Sequence, residues 1–288
     1  MSGITKKVRG LNQYLAEEEE NKLEKLAESI PGFETREKAE KEQQYRIKAI
    51  TKAVLQMVDG NRKLPPEVKE TLKALRKVRR KLKSCTADSL CGSAACPQCF
   101  RLHRLRKLAE LEGLRKKKQT YRVVTLIYYD AMLEQDELLA WNYSRFKERV
   151  RKMIRRAGFV GKIVGGFELD FHVDTQRWMP HLHLLVPNEK PPLKALRRAI
   201  TRDKNMRTRP GIVSRPVLVQ ELENFDKQVT YCFKGMWQEL RSYKDVEGDR
   251  RTRKHRLSPV LLAQALCKQD EIGFTGLTFT AGVRKRRK

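Results

Sequence analysis

Between Phe167 and Val186 the chain twice alternates apolar and polar residues with a period of two, on either side of a short polar break. That period belongs to half-buried β-strands. A strand turns successive side chains to opposite faces, so Phe167, Leu169, Phe171 and Val173 share one face and Glu168, Asp170 and His172 the other. In the second run Leu182, Leu184 and Val186 oppose His181 and His183. If Asp174 to Arg177 closes a hairpin, matching the apolar faces forces both polar sets onto a common side. A four-residue turn then sets Glu168 opposite His183 and Asp170 opposite His181. Two imidazoles beside a carboxylate form a ligand set for a divalent cation. Glu168 is the preferred oxygen donor because it follows Gly165-Gly166, where a backbone can approach closely; Asp170 is the alternative. The competing reading is that both histidines simply face water.

The surrounding periodicities define an α+β chain. Residues 12–83 read as three helices broken at Pro31, Gly60 and Pro65-Pro66, and Val68, Leu72, Leu75 and Val78 give the last of them a packing stripe. The acidic run Glu17 to Glu20 reads as a solvated face with no assigned function. From Tyr121 the period becomes two through YRVVTLIYY. A helix is expected over Glu134 to Ala157 with Gly158 as C-cap, then the hairpin, a short helix after Pro192, a strand from Ile212 to Leu222, and a helix from Asn224 to about Tyr243. That order describes a ferredoxin-like sandwich with a mostly antiparallel sheet. Four regions result: a helical N-terminal region (1–84), a cysteine-rich module with a basic helix (85–118), the sandwich (119–241) and a basic extension (242–288). Ser242 to Arg256, a mobile basic segment, and the terminal VRKRRK read as phosphate-contacting arms, apart from a possible strand or short helix in the extension.

Cys85, Cys91, Cys96 and Cys99 fall within fifteen residues, and the closing CPQC turn sets two thiolates on one edge of a site. Four soft ligands suit tetrahedral Zn²⁺ in a structural role, with His103 as a substitute if Cys85 or Cys91 does not bind. The site is expected to present the next helix to DNA through Arg101, Arg104, Arg106 and Lys107. Cys232 and Cys267 are isolated and read as small core residues.

Charge narrows the partners. Lys and Arg total 63 against 35 Asp and Glu, a net charge of +28 that favours a polyanion. No segment has the apolar length of a membrane span, and MSGITKKVRG lacks the core of a secretory signal, so no membrane partner and a cytoplasmic location are expected.

Tyr231 and Lys234 lie three apart in a helical segment, so an ammonium can sit beside the phenol. Together, His181-x-His183 and Tyr231-x-x-Lys234 resemble the second and third motifs of rolling-circle replication initiators of the HUH endonuclease superfamily, and Val123 to Asp130 sits where the looser first motif would lie. The resemblance spans about Tyr121 to Leu240. It implies an RRM-like endonuclease domain in which His181, His183 and an acid such as Glu168 bind Mg²⁺ or Mn²⁺. Tyr231 would attack single-stranded DNA at a replication origin, leaving a covalent 5′-phosphotyrosine and a free 3′-hydroxyl, with Lys234 assisting. Expected partners are the replication helicase and polymerase of a bacterial host, whose cytoplasm would be the location, and a cysteine cluster ahead of the catalytic region agrees with the family. Alternatives are a relaxase or single-strand transposase with the same chemistry, a non-catalytic zinc-containing DNA-binding protein, and a metal-dependent hydrolase.

Overall fold

The computed structural model describes residues 18–59, 64–87, 89–206 and 214–282. The terminal VRKRRK, the first residues of the N-terminal helical stretch, Gly60 and the start of the strand expected at Ile212 lie outside them. Eight strands form one sheet around a central antiparallel trio: β1 (Tyr121–Ile127), β3 (Ile163–His172) and β4 (Arg177–Pro187), with the two-residue β2 (Leu133–Glu134) on one end of β4. β5 (Val217–Glu221) flanks β1, while β6 (Glu239–Lys244), β7 (Arg250–His255) and β8 (Thr278–Ala281) extend the sheet beyond β3. The sheet is mixed, because β6 pairs with β3 in parallel while the other pairings are antiparallel.

Helices cover both faces. α1 (Arg36–Val58), N-capped by Thr35, packs on α2 (Pro66–Ser84), whose inward stripe is Leu72, Leu75, Val78 and Leu82. α3 (Pro97–Glu110) starts within the cysteine cluster, with Cys96 at its N-cap and Cys99 in its first turn. α4 (Tyr143–Ala157) and α5 (Lys190–Ile200) bury Phe146, Val150, Ile154, Leu196 and Ile200 against Leu126, Phe167, Leu182 and Leu184 on one face of the sheet. On the other face α3 and α6 (Phe225–Cys232) bury Leu105, Leu108, Val229 and Cys232 against Val123, Val164 and Leu185. α7 (Pro259–Leu277) completes a third cluster with Ile50, Leu75, Cys96 and Phe171, so one core runs through all four regions read from the sequence.

The structure departs from expectation at several places. α4 begins only at Tyr143, because the Asn142 side chain accepts from Arg145 N and fixes the start there; Gly158, at φ 85°, caps the end as expected. α6 stops at Cys232 instead of reaching Tyr243. Three residues on, Gly235 adopts φ 56° and lies so close to Phe100 that a Cβ would fall 1.9 Å from the ring. The segment from Ser242 to Arg256 is folded: most of it forms the β6–β7 hairpin, whose register runs from Glu239↔His255 to Lys244↔Arg250. Its basic composition hid strands whose stability comes from pairing at the sheet edge.

Candidate active site and metal centre

The β3–β4 hairpin turns through Val173 to Gln176, one residue earlier than the sequence suggested, so Glu168 pairs with His181 and Asp170 with Met179. The pairing expected between Glu168 and His183, and between Asp170 and His181, is therefore corrected. A shift of two in the pairing sum preserves parity, and all four side chains still share a face. They do not face water: Glu168, Asp170, His181 and His183 are all at most 5% exposed.

Glu168 is the hub. Its Oε2 lies 3.4 Å from His181 Nε2, 3.7 Å from His183 Nε2 and 3.5 Å from Lys234 Nζ. Burial alone would raise its pKa, but the Lys234 ammonium and the two imidazoles outweigh that and hold the carboxyl well below its usual range. His181 Nδ1 donates to the Met179 carbonyl at 3.3 Å, which turns Nε2 toward the cluster. Across β1, Thr125 Oγ1 meets His183 Nδ1 at 2.9 Å and fixes that ring. Burial pushes His183 down to about 4, so it is neutral at neutral pH, whereas His181 is raised against its burial by Glu168 and Asp170.

A divalent cation fits this donor set. One ligand atom from each of Glu168, His181 and His183 can be chosen so that all lie within 4.8 Å of one another. Glu168 Oε1 and His183 Nε2 are buried with no hydrogen-bond partner among the described residues. Leaving such atoms unpaired is costly, and a metal would satisfy them. Asp170 is committed elsewhere, accepting from Gln238 N at 3.0 Å and lying 3.4 Å from Lys254 Nζ, although its Oδ2 remains 3.9 Å from His181.

α6 crosses this face at Gly166, where an added Cβ would fall 2.6 Å from the Cys232 carbonyl. That approach sets Tyr231 with its ring 4.7 Å from His183 and 42% exposed, open to a substrate beside the buried carboxylate. Lys234 lies beyond the helix end, so the expected helical pairing is replaced by a turn in which Lys234 N donates to the Tyr231 carbonyl; its Nζ still sits 5.3 Å from the phenol ring centre. Burial raises the Tyr231 pKa and Lys254 opposes it. Lys254 is the residue that sequence reasoning missed. Nothing in RRTRKH, a run of polar and charged residues, signalled it.

The four cysteines converge as expected. Cys85 and Cys91 Sγ each lie 3.7 Å from Cys99 Sγ, and all four sulfurs lie within 4.8 Å of one another. A tetrahedron of bonds of about 2.3 Å has edges of about 3.8 Å, so the cluster is compatible with a structural zinc site. His103 is not a substitute ligand: it stacks on Phe274 at 4.5 Å and its Nε2 meets Thr278 Oγ1. Cys232 and Cys267 are buried, as expected.

The basic residues of α3 are engaged within the protein. Arg101 is buried in a bidentate pair with Glu24 and donates to the Glu34 carbonyl; Arg104 lies over Phe33 with Glu34 at 3.9 Å; Arg106 pairs with Glu19 and Lys107 with Glu110. The acidic run with no assigned function supplies one of these partners. No helix among the described residues is long and apolar enough to cross a membrane. The chain matches no known protein family, no curated protein and no solved structure.

Proposed function

We propose that the chain is a metal-dependent, single-strand DNA endonuclease and strand transferase of the HUH type, which starts rolling-circle replication of a plasmid, phage or mobile element. The observation that carries this reading is the exposed Tyr231 phenol against His183, directly beside the buried Glu168–His181–His183 cluster. His181, His183 and Glu168 hold Mg²⁺ or Mn²⁺, which when bound polarises the scissile phosphate and offsets its charge.

Thr125 and the Met179 carbonyl orient the two imidazoles, so the ligand set is assembled before substrate arrives. Tyr231 loses its proton to water, and the ammonium groups of Lys234 and Lys254 stabilise the phenolate, as its raised pKa requires. The phenolate oxygen attacks phosphorus. As that bond forms, the bond to the 3′ oxygen breaks, and the leaving oxygen takes a proton from water. The products are a 5′-phosphotyrosine and a free 3′-hydroxyl that can prime a polymerase; attack by a 3′-hydroxyl reverses the step and rejoins the strand. The cysteine cluster, loaded with zinc, supports α3 and the core behind it.

A labelled single-stranded oligonucleotide tests the reading. Tyr231→Phe should abolish cleavage and the covalent protein–DNA band while binding survives, and EDTA should stop cleavage until Mn²⁺ is restored. Unaltered cleavage by the phenylalanine variant would overturn the assignment.

A further inference from the structure

The cations expected to meet DNA on α3 are neutralised by intramolecular acids, which leaves the question of where the excess positive charge is displayed. On the face of the sheet away from His181 and His183, α4 and α5 enclose an open cleft of about 1030 Å³. Arg145, Arg149, Lys152 and Arg156 line it from α4, spaced four, three and four residues apart along one face, with Arg198 and Arg202 opposite. All six are exposed. Only two carboxylates, Asp130 and Glu148, accompany them, and Asp130 is held by Arg149. Among the described residues Arg145, Lys152, Arg156 and Arg198 make no ion pair. Like charges four apart on a helix, such as Lys152 and Arg156, repel each other and destabilise it. The floor between them is small or apolar: Ala157, Ala195, Ala199 and Met153 keep the cleft open.

We infer that this cleft is a second nucleic-acid site, binding the backbone of double-stranded DNA without reading its sequence. The α4 stripe covers eleven residues of rise, about 16 Å, which matches roughly five base pairs of one strand at about 3.4 Å each. Single-stranded sites add aromatic rings on which bases stack. Here the one lining aromatic, Tyr128, is 1% exposed with its hydroxyl on Met153, so the cleft offers charge alone. An anionic membrane would call for apolar side chains at the rim to enter the lipid, and α4 and α5 expose none of the large apolar residues found on the surface. The inference does not depend on the nicking chemistry at Tyr231.

The test measures binding of the full zinc-loaded chain to a labelled duplex by fluorescence anisotropy, without added Mg²⁺ or Mn²⁺ so that no cleavage intervenes, from about 50 to 200 mM salt. The triple variant Arg145→Ala, Lys152→Ala, Arg156→Ala is compared with a surface triple of equal charge change on α2, Arg76→Ala, Lys77→Ala, Arg80→Ala. Each phosphate contact contributes about 0.9 to the slope of log affinity against log salt, so the cleft triple should flatten it by roughly 2.7. Wild type should then lose about forty-fold more affinity across that range than the variant does. The double variant Arg145→Lys, Arg156→Lys should bind the duplex with the wild-type salt slope, which separates charge from folding. Equal losses from both triples would overturn the site and leave only diffuse attraction, as would an unchanged slope in the cleft triple. Loss of binding to phosphatidylserine vesicles with duplex binding intact would overturn it in favour of a lipid surface.

Discussion

Gly166→Ala is the sharpest single perturbation of the site, because it changes one methyl group and no ligand. The new Cβ would lie 2.6 Å from the Cys232 carbonyl oxygen, against about 3.4 Å for ordinary contact, so the end of α6 must retreat by roughly 0.8 Å or β3 must bend. Cys232 follows Tyr231 directly, and the displacement carries the phenol away from His183. Overpacking of this kind costs about 1–3 kcal/mol, and in a chain of this size each kcal/mol lowers Tm by roughly 2–4 °C. A misplacement near 1 Å at a reacting atom costs on the order of 100-fold in rate. The variant should therefore melt a few degrees lower, keep its circular-dichroism spectrum, and form the covalent adduct with single-stranded DNA some ten- to hundred-fold more slowly. Manganese should still bind, since Glu168, His181 and His183 are untouched. A variant that melts and reacts like wild type would refute the claim that close approach at Gly166 positions Tyr231.

Three further outcomes follow from the geometry. The cysteine cluster should hold one zinc per chain, and chelation or Cys96→Ser should lower Tm by roughly 10 °C or more, read by calorimetry with metal analysis, because the cluster sits inside the core shared by α1, α2 and α7. Lys147→Met should cost on the order of 3 kcal/mol in denaturant unfolding, since the buried ammonium donates to the carbonyls of Thr275, Gly276 and Thr278 and ties α7 to α4. In the metal-free chain His183 has a folded-state pKa of about 4, below its ordinary 6.5. Its neutral form therefore contributes stability that is complete above pH 6.5 and declines as pH falls toward 4. His181 is shifted the opposite way and offsets part of this, so the check is that His183→Asn flattens the fall in stability across that window.

What the sequence disclosed depended on the range of the physics involved. Alternation in the hairpin identified the common face of Glu168, His181 and His183 even though the turn was placed one residue late, because a period of two tolerates an even slip in pairing. The cysteine spacing likewise needed only local geometry. Long-range choices were hidden. Nothing in Arg101 or Arg104 distinguishes a cation that meets phosphate from one that meets Glu24 or Glu34, and nothing local to Phe233 or Gly235 announces that Phe100 will occupy the space an extended α6 would need. Lys254 was lost for a related reason: an edge strand built from RRTRKH is strand-like only because β6 pairs with it.

The dependence of β3 on late segments bears on how small a working version of the protein can be made. Ile163 to Gly166 are covered by β8, Phe171 and His172 by β6, and Lys254 arrives from β7. A fragment cut at residue 241, where the motifs end, would keep both histidines and the tyrosine. It would also bare Ile163 to Gly166 of the strand that carries Glu168, leave the stub of β6 without β7, and drop one of the two ammonium groups near the phenol, inviting edge-to-edge association. The motif-bearing stretch is thus shorter than the unit that can be expected to fold around it, and any minimal version has to retain the chain through Ala281.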